Sequence, residues 1–264
     1  MTRVSHLSDR AVLRIAGPDA REFLQGLLTN DVTGPLPMWA GLLSAQGKYL
    51  FDMILHDGGD ALLADVLASR AGDLAKRLTM YKLRRAVTIE MTDLQVFASW
   101  GSERAGAADP RLATLGQRWV AGSAETNATL ADYDAHRLRL GVSDSPDFDI
   151  DKTMWLETNA VELNGVSFTK GCYVGQENTA RMHHRDKLRK RLLPVQLAGD
   201  PGDVRSVMSD GRESGELRSF HGQRGIAALR LELLDGLSLG GVPVIVDWPT
   251  WLGERPSTGG GVED

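Results

Sequence analysis

The chain contains one cysteine, Cys172, among its 264 residues. Because a single thiol cannot form an internal disulfide, the fold has to be stabilised by buried apolar packing. The composition allows this, since 42% of the residues are hydrophobic and the length suffices for two or three compact units. The cysteine content also favours a reducing compartment, and we expect a cytoplasmic protein.

The charge pattern argues against two classes of partner. Charged side chains interrupt the first 16 residues, so we expect no apolar signal segment there. No later run approaches the roughly 20 apolar residues of a membrane span. A net charge of −5 also disfavours general nucleic-acid binding. We therefore expect neither membranes nor nucleic acids as partners.

Apolar periodicity and turn residues predict an α+β protein. Two apolar runs flank the turn Asp57-Gly58-Gly59-Asp60, which indicates a hairpin with strands over 49–57 and 61–66. Helices are predicted over 18–28, 69–81, 129–140 and 175–184, and further strands over 86–92 and 94–100. Residues 101–127 are rich in small residues, which predicts a mostly surface-exposed connection with one short strand.

The last quarter of the chain has a different pattern. Short apolar runs alternate with turns over 192–197, 204–208, 215–220, 225–233 and 242–247. Such spacing is typical of a small β-barrel. Residues 253–264 have no apolar side chains suited to packing, so we expect a disordered tail.

The segment around Cys172 has the composition of a functional site. Only a thiolate is a good nucleophile or metal ligand, so a neighbouring positive charge is needed. Lys170 and the amino end of the helix that begins near Gly175 are candidates for this role. Gly171 and Gly175 allow tight turns and close approach of another molecule. The alternative is that Cys172 is a small buried apolar residue.

Residues on the helix after Cys172 add charge. Glu177 and Arg181 are four residues apart and are expected to pair. Residues 181–191 contain six lysines and arginines against one acid, Asp186. This run is either a solvated surface or a site for an anion, such as the glutamate tail of a folate or an acidic partner.

Residues 164–184 resemble the signature of the YgfZ family, the folate-binding iron–sulfur assembly proteins related to the aminomethyltransferase of glycine cleavage. Residues 23–32, residues 81–84 and the set Tyr133, His136, Arg137 and Gly141 also match. The resemblance implies a three-domain aminomethyltransferase-like fold. It has a discontinuous first domain (1–45 and 128–188) that binds folate and carries the cysteine motif, a ferredoxin-like inserted domain (46–127) and a small C-terminal β-barrel (189–252).

The same resemblance implies the site residues. The motif comprises Lys170, Gly171, Cys172, Tyr173, Gly175, Gln176 and Glu177. Tetrahydrofolate is expected to contact Asn30, Lys48, Asp52, Tyr133, Glu157 and Arg181. Asp52 matches the catalytic aspartate of the aminomethyltransferases, although it could also be a solvent-facing strand residue. Arg139 stands where those enzymes have a pterin-binding glutamate, and Glu157 is a possible substitute.

The resulting hypothesis is a folate-binding accessory protein for assembly or repair of iron–sulfur proteins, with Cys172 as its essential thiol. The expected partners are iron–sulfur carriers and four-iron client enzymes. An iron–sulfur cluster normally takes four protein ligands, so we expect no permanent metal site, although Cys172 could donate one ligand to a transient shared cluster. An alternative is a folate-dependent aminomethyl or methyl transferase that uses Asp52. A cysteine hydrolase with His183 or His184 as its base is a third possibility.

Overall fold

A computed structural model describes residues 1–102, 106–185 and 188–255. Within these ranges the chain forms four α-helices, Ala20–Gln25 (α1), Ala68–Lys82 (α2), Leu130–Arg139 (α3) and Gln176–His184 (α4). The strands are Arg3–His6 (β1), Arg10–Ala16 (β2), Met38–Leu43 (β3), Tyr49–Asp57 (β4), Ala61–Leu67 (β5), Thr88–Met91 (β6), Gln95–Trp100 (β7), Ala107–Ala108 (β8), Gln117–Ala121 (β9), Lys190–Leu197 (β10), Ser206–Ser209 (β11), Arg212–His221 (β12), Arg224–Arg230 (β13), Leu237–Leu239 (β14) and Val242–Val246 (β15). The mixed content confirms the predicted α+β class.

A five-stranded antiparallel sheet, in the order β3-β4-β5-β2-β6, is covered on both faces. Phe51, Met53 and Leu55 of β4 pack into a core with α1 and α2. Ile54 points to the opposite face, where it packs with aromatic residues. Asp52 shares this second face, since it lies two residues before Ile54. The double cover explains why Asp52 is only 5% exposed rather than solvent-facing.

A second sheet, in the order β1-β7-β9-β8, uses residues that the composition assigned to a surface connection. Residues 107–121 contribute β8, β9 and two fully buried arginines, Arg111 and Arg118. That part of the prediction was wrong. A composition rich in small residues does not show that aspartates, among them the distant Asp65 and Asp144, will neutralise buried arginines.

The C-terminal strands close into a barrel in the order β10-β13-β12-β11-β14-β15. The predicted barrel is confirmed, and β14 is the strand that the apolar pattern missed because it has only three residues. At the start of the expected tail, the Gly253 carbonyl accepts a hydrogen bond from Trp248, and Arg255 pairs with Asp235. The rest of that tail, 256–264, lies outside the described residues.

Two differences from the predicted boundaries concern the segments that surround the site. Helix α1 ends at Gln25 rather than near residue 28, because Leu28 turns away to bridge Leu42 at the end of β3. Strand pairing also crosses the expected domain limit at residue 45, since β3 pairs with β4 and β2 pairs with β5. The domain limits themselves stay a prediction. No helix among the described residues is long and apolar enough to cross a bilayer.

Candidate functional site

The loop that carries Cys172 is anchored on its amino-terminal side by Lys170. The side chain of Lys170 is buried, and its ammonium group donates to the carbonyl oxygens of Gln25, Leu28 and Asn30 at 2.7, 2.6 and 2.8 Å. Burial lowers the pKa of Lys170 to about 8, although Asp31 opposes this shift. The three hydrogen bonds occupy all three hydrogens of the ammonium group.

This anchoring changes the expected role of Lys170. A lysine ammonium has three donors, and the carbonyls after α1 occupy them, so none is left for a thiolate at Cys172. Lys170 instead fixes the position of the loop. Its nitrogen also lies 5.2 Å from the ring centre of Tyr173, which is buried beneath the loop and whose pKa is raised to about 12 by that burial.

On its carboxyl side the loop is fixed against the turn between β3 and β4. Gly175 has φ of +85°, and a Cβ at this position would lie 2.5 Å from the carbonyl oxygen of Ser44. Only glycine fits such a close approach. Asn178, in the first turn of α4, donates to the carbonyl of Gln46 at 2.7 Å. The amino end of α4 is thus held firmly on this turn.

Between these two anchors, Cys172 is exposed, which excludes the alternative of a small buried apolar residue. Its neighbour Gly171 has open space around the position of a Cβ, so a second molecule can approach the sulfur from this side. The site therefore presents one accessible thiol from a rigidly placed loop.

Helix α4 places its charged and aromatic groups as follows. Arg181 donates to Asn178 at 2.7 Å rather than forming the predicted pair with Glu177. Arg181 and Asn178 line a small surface depression of about 240 Å³ together with Gln46.

The two histidines of α4 form ring contacts. His183 stacks on Phe168 with ring centres 4.0 Å apart, and the ring centre of His184 lies 5.5 Å from that of His183. In the described ranges, no three His, Cys, Asp or Glu side chains are grouped so that they could hold a metal ion.

Asp52 lies elsewhere, in a buried network of donors. Its carboxylate accepts hydrogen bonds from Trp39 at 3.1 Å, Tyr49 at 3.1 Å and Ser145 at 2.7 Å. Burial, together with the nearby Asp52 carboxylate, raises the pKa of Tyr49 far above its ordinary value, so Tyr49 stays a neutral donor. Both oxygens of Asp52 are already engaged within the protein.

Aromatic rings fill the space beside Asp52. The rings of Trp39 and Trp155 lie 4.8 Å apart, and those of Tyr49 and Phe148 lie 5.0 Å apart. A Cβ at Gly165 would lie 2.5 Å from the Trp39 ring. The Trp39 ring therefore leaves no room for a side chain at position 165.

A group of buried ion pairs adjoins Asp52 and was missed by the sequence reasoning. Asp65 accepts from Arg10 at 2.7 Å and from Arg118 at 2.6 Å. A carboxylate oxygen of Asp144 lies 3.2 Å from the guanidinium of Arg111. Burial would raise the pKa of Asp144, but the positive charges of Arg111, Arg10 and Arg118 outweigh burial and hold this pKa far below its ordinary value. Arg111 also pairs with Asp109, two residues away, at 2.9 Å, but the partners Asp65 and Asp144 come from distant segments that no local spacing signals.

Tyr133 belongs to the same buried network. Its hydroxyl accepts hydrogen bonds from Arg111 at 3.1 Å and Arg118 at 3.3 Å. Arg139, at the position that matches a pterin-binding glutamate, donates to Nδ1 of His136 at 3.1 Å. These side chains support the packing of α3 rather than line an open site.

The remaining residues expected to bind folate are dispersed. Asn30 donates to the carbonyls of Trp39 and Asn164. Lys48 is half-buried, and its backbone forms an isolated β-bridge with Met154. Glu157 accepts from the Met154 amide, and burial raises its pKa. It lines a cleft of about 250 Å³ with Lys190 and Arg218. Glu157 and Arg181 line two different depressions, whereas Asp52 and Tyr133 are buried.

Comparison of the sequence with known proteins identifies the family of the chain. Residues 189–254 match the family model of the CAF17 C-terminal beta-barrel domain. The chain is 37% identical to the mitochondrial iron–sulfur cluster assembly factor IBA57 of Mus musculus, over 87% of this chain and 78% of that protein. The human IBA57 protein gives the same identity and the same coverage. The chain belongs to the IBA57 family.

A solved structure supports the fold. The glycine cleavage system aminomethyltransferase T from Bartonella henselae superposes with a TM-score of 0.67, covering 96% of this chain and 87% of that one, at 13% identity. This similarity confirms the aminomethyltransferase-like fold and carries no statement about activity. The resemblance to YgfZ proteins was therefore right at the level of fold and of iron–sulfur assembly, while the family shown is that of IBA57.

The predicted cytoplasmic location was wrong. The IBA57 relatives from mouse, human and Neurospora crassa are all named as mitochondrial proteins. A lone cysteine indicates a reducing environment, and that property does not distinguish one reducing compartment from another.

Proposed function

We propose that this member of the IBA57 family acts in iron–sulfur cluster assembly by offering the Cys172 thiolate to a cluster that is held mainly by a partner protein. The observation that carries this proposal is the exposure of Cys172 on a loop fixed at both ends. A rigid loop holds the sulfur in one place, so little ordering is needed when a partner docks.

The ligand count favours sharing. Clusters are usually held by four thiolates, and this chain has one. Binding requires Cys172 to lose its proton to solvent, after which a sulfur lone pair forms the bond to iron. The bond is broken again when the cluster passes to a client. The cluster is cargo in this scheme, and the remaining ligands come from the partner.

Folate has no part in this proposal. Tetrahydrofolate binding stays a prediction from the resemblance. For the same reason we do not derive an aminomethyl transfer step through Asp52. Its carboxylate already accepts hydrogen bonds from Trp39, Tyr49 and Ser145.

The proposal is tested with purified protein and a cluster-loaded iron–sulfur carrier. The measurement is the iron content of the complex that elutes from size-exclusion chromatography, together with its visible absorption. We expect Cys172→Ala to abolish the iron-containing complex. His183→Ala and His184→Ala are matched controls on the adjacent helix and should retain it. A complex of unchanged iron content with Cys172→Ala would overturn the proposal.

A further inference from the structure

The turn that follows α2 displays an exposed leucine in a backbone conformation that disfavours it. The Arg85 amide donates to the Lys82 carbonyl at 2.8 Å, which closes a tight turn. Leu83 follows Lys82 in this turn with φ of +49° and ψ of −111°. Glycine is the residue preferred at such a position, because a Cβ causes strain there.

Nothing in the fold compensates for this strain through the side chain. Leu83 is 85% exposed, so it contributes little apolar burial to the chain. Its neighbour Met80, in the last turn of α2, is 67% exposed. Strained and exposed residues of this kind point to a function outside the folded chain.

The surroundings of Leu83 are cationic. An open recess of about 680 Å³ is lined by Asp19 and by residues 81–85, and the latter include Lys82, Arg84 and Arg85. Lys82 donates to the Val87 carbonyl, and Arg85 pairs with Glu22 at 3.0 Å. Against the acids Asp19 and Glu22, the three cations leave an excess of one positive charge, whereas the chain as a whole has a net charge of −5. A partner surface that complements this one is therefore acidic and contains an apolar recess for the leucine side chain.

This surface is connected to the cysteine loop through α1. The Asp19 carboxylate, just before α1, accepts from the Ala86 amide, and Glu22 pairs with Arg85. At the other end of α1, the carbonyls of Gln25 and Leu28 hold Lys170. A helix of six residues is about 9 Å long. An interface of standard size, roughly 800 Å² on each partner, is wider than the length of α1.

We propose that the Leu83 turn, comprising residues 80–85, docks the same iron–sulfur partner protein that brings its cluster to Cys172, through an acidic surface with a recess for the Leu83 side chain. This inference rests on the proposed function. It adds a second attachment point that lies outside the cysteine motif and that contributes affinity without touching the cluster.

The decisive variant is Leu83→Gly, because it separates folding from docking. Removing the Cβ relieves the strained backbone, so Tm should not fall by more than about 2 °C. Affinity for an acidic iron–sulfur carrier without its cluster, measured by calorimetry, should fall about tenfold. Ile245→Ala is a matched control, since Ile245 is 64% exposed on the barrel and should leave the affinity unchanged.

Charge is tested with Arg84→Glu. This variant should weaken binding of the carrier, and the wild-type affinity should fall as NaCl is raised, because the contact involves exposed charges. Equal carrier affinities of wild type, Leu83→Gly and Arg84→Glu would overturn the inference. Two other outcomes would also overturn the inference if the carrier does not bind. Leu83-dependent binding to vesicles containing phosphatidylglycerol would favour a membrane as the occupant, and Leu83-dependent self-association in sedimentation would favour a second copy of the chain.

The two proposals fail in different ways. Cys172→Ala should leave docking of the cluster-free carrier intact while removing the iron from the complex. Leu83→Gly should weaken docking while leaving the iron content of the saturated complex unchanged. Unchanged docking by Leu83→Gly with loss of iron in Cys172→Ala would overturn the docking surface alone and leave the role of the thiol standing.

Discussion

The ammonium group of Lys170 donates a 2.6 Å hydrogen bond to the carbonyl oxygen of Leu28, which lies 142 residues earlier in the chain. This contact ties the loop that carries Cys172 to the segment that follows α1. The carbonyls of Gln25 and Asn30 accept hydrogen bonds from the same ammonium group, so the lysine donates to three backbone carbonyls. The loop that carries the thiol is therefore held by a titratable side chain two residues from Cys172.

The contribution of Lys170 to stability should depend on pH. Burial lowers its pKa to about 8 in the folded chain, whereas an unfolded lysine has a pKa of about 10.4. Between these values the unfolded chain binds the proton that the native chain has lost. The contribution of this group to the free energy of unfolding should thus rise with pH across this window, by about 1–2 kcal/mol after allowance for solvent screening.

Urea unfolding of wild type and Lys170→Met at about pH 7.5, 9 and 10.5 measures this effect, because the difference between the two proteins isolates Lys170 from other titrating groups. The stability of wild type relative to the variant should increase with pH. A relative stability that decreases with pH would show that the three carbonyls favour the charged form more strongly than burial opposes it. Lys152→Met, at an exposed lysine, serves as the control and should show no such trend.

Gly175→Ala should destabilise the protein by about 2–3 kcal/mol, because alanine is strained at positive φ and its Cβ would meet the Ser44 carbonyl. The measurement is the free energy of unfolding in urea. Gly171→Ala is the matched control in the same loop, where the Cβ position is open, and its effect should stay within about 0.5 kcal/mol. Equal effects of the two substitutions would contradict the tight contact between the loop and the β3–β4 turn.

Asp52→Ala should lower the free energy of unfolding by about 2–4 kcal/mol, because the buried donors of Trp39, Tyr49 and Ser145 lose their acceptor. Asp52→Asn keeps an acceptor oxygen and should cost less. Calorimetry with tetrahydrofolate on the same variants tests the alternative role. If Asp52 contacts folate, Asp52→Ala will also lose affinity for tetrahydrofolate, whereas an unchanged affinity would leave Asp52 with a structural role alone.

Much of the fold could be predicted because its signals are local. The Asp57-Gly58-Gly59-Asp60 turn marks the β4–β5 hairpin, and the capping box of Thr129 and Asp132 marks the start of α3. The alternation of apolar runs and turns identified the barrel. Each of these features is specified by residues within a few positions of one another.

The site could be predicted only in part, because its contacts join distant segments. The cysteine motif predicted that Cys172 belongs to the site. Its spacing does not show that Lys170 donates hydrogen bonds to carbonyls within residues 25–30. Burial of Tyr133 depends on Arg111 and Arg118, in a segment that the composition assigned to the surface. The filling of the space beside Asp52 depends on Trp39 and Trp155, which are 116 positions apart in sequence and 4.8 Å apart in the fold.

The exposure of Cys172 has a further consequence for oxidative stress. A peroxide that reaches the sulfur would form a sulfenic acid, and this chain has no second cysteine with which to form a resolving disulfide. Return to the thiol would require a thiol from another molecule, such as glutathione. The redox buffer of the compartment, rather than the protein itself, would then determine how long each molecule remains able to bind iron.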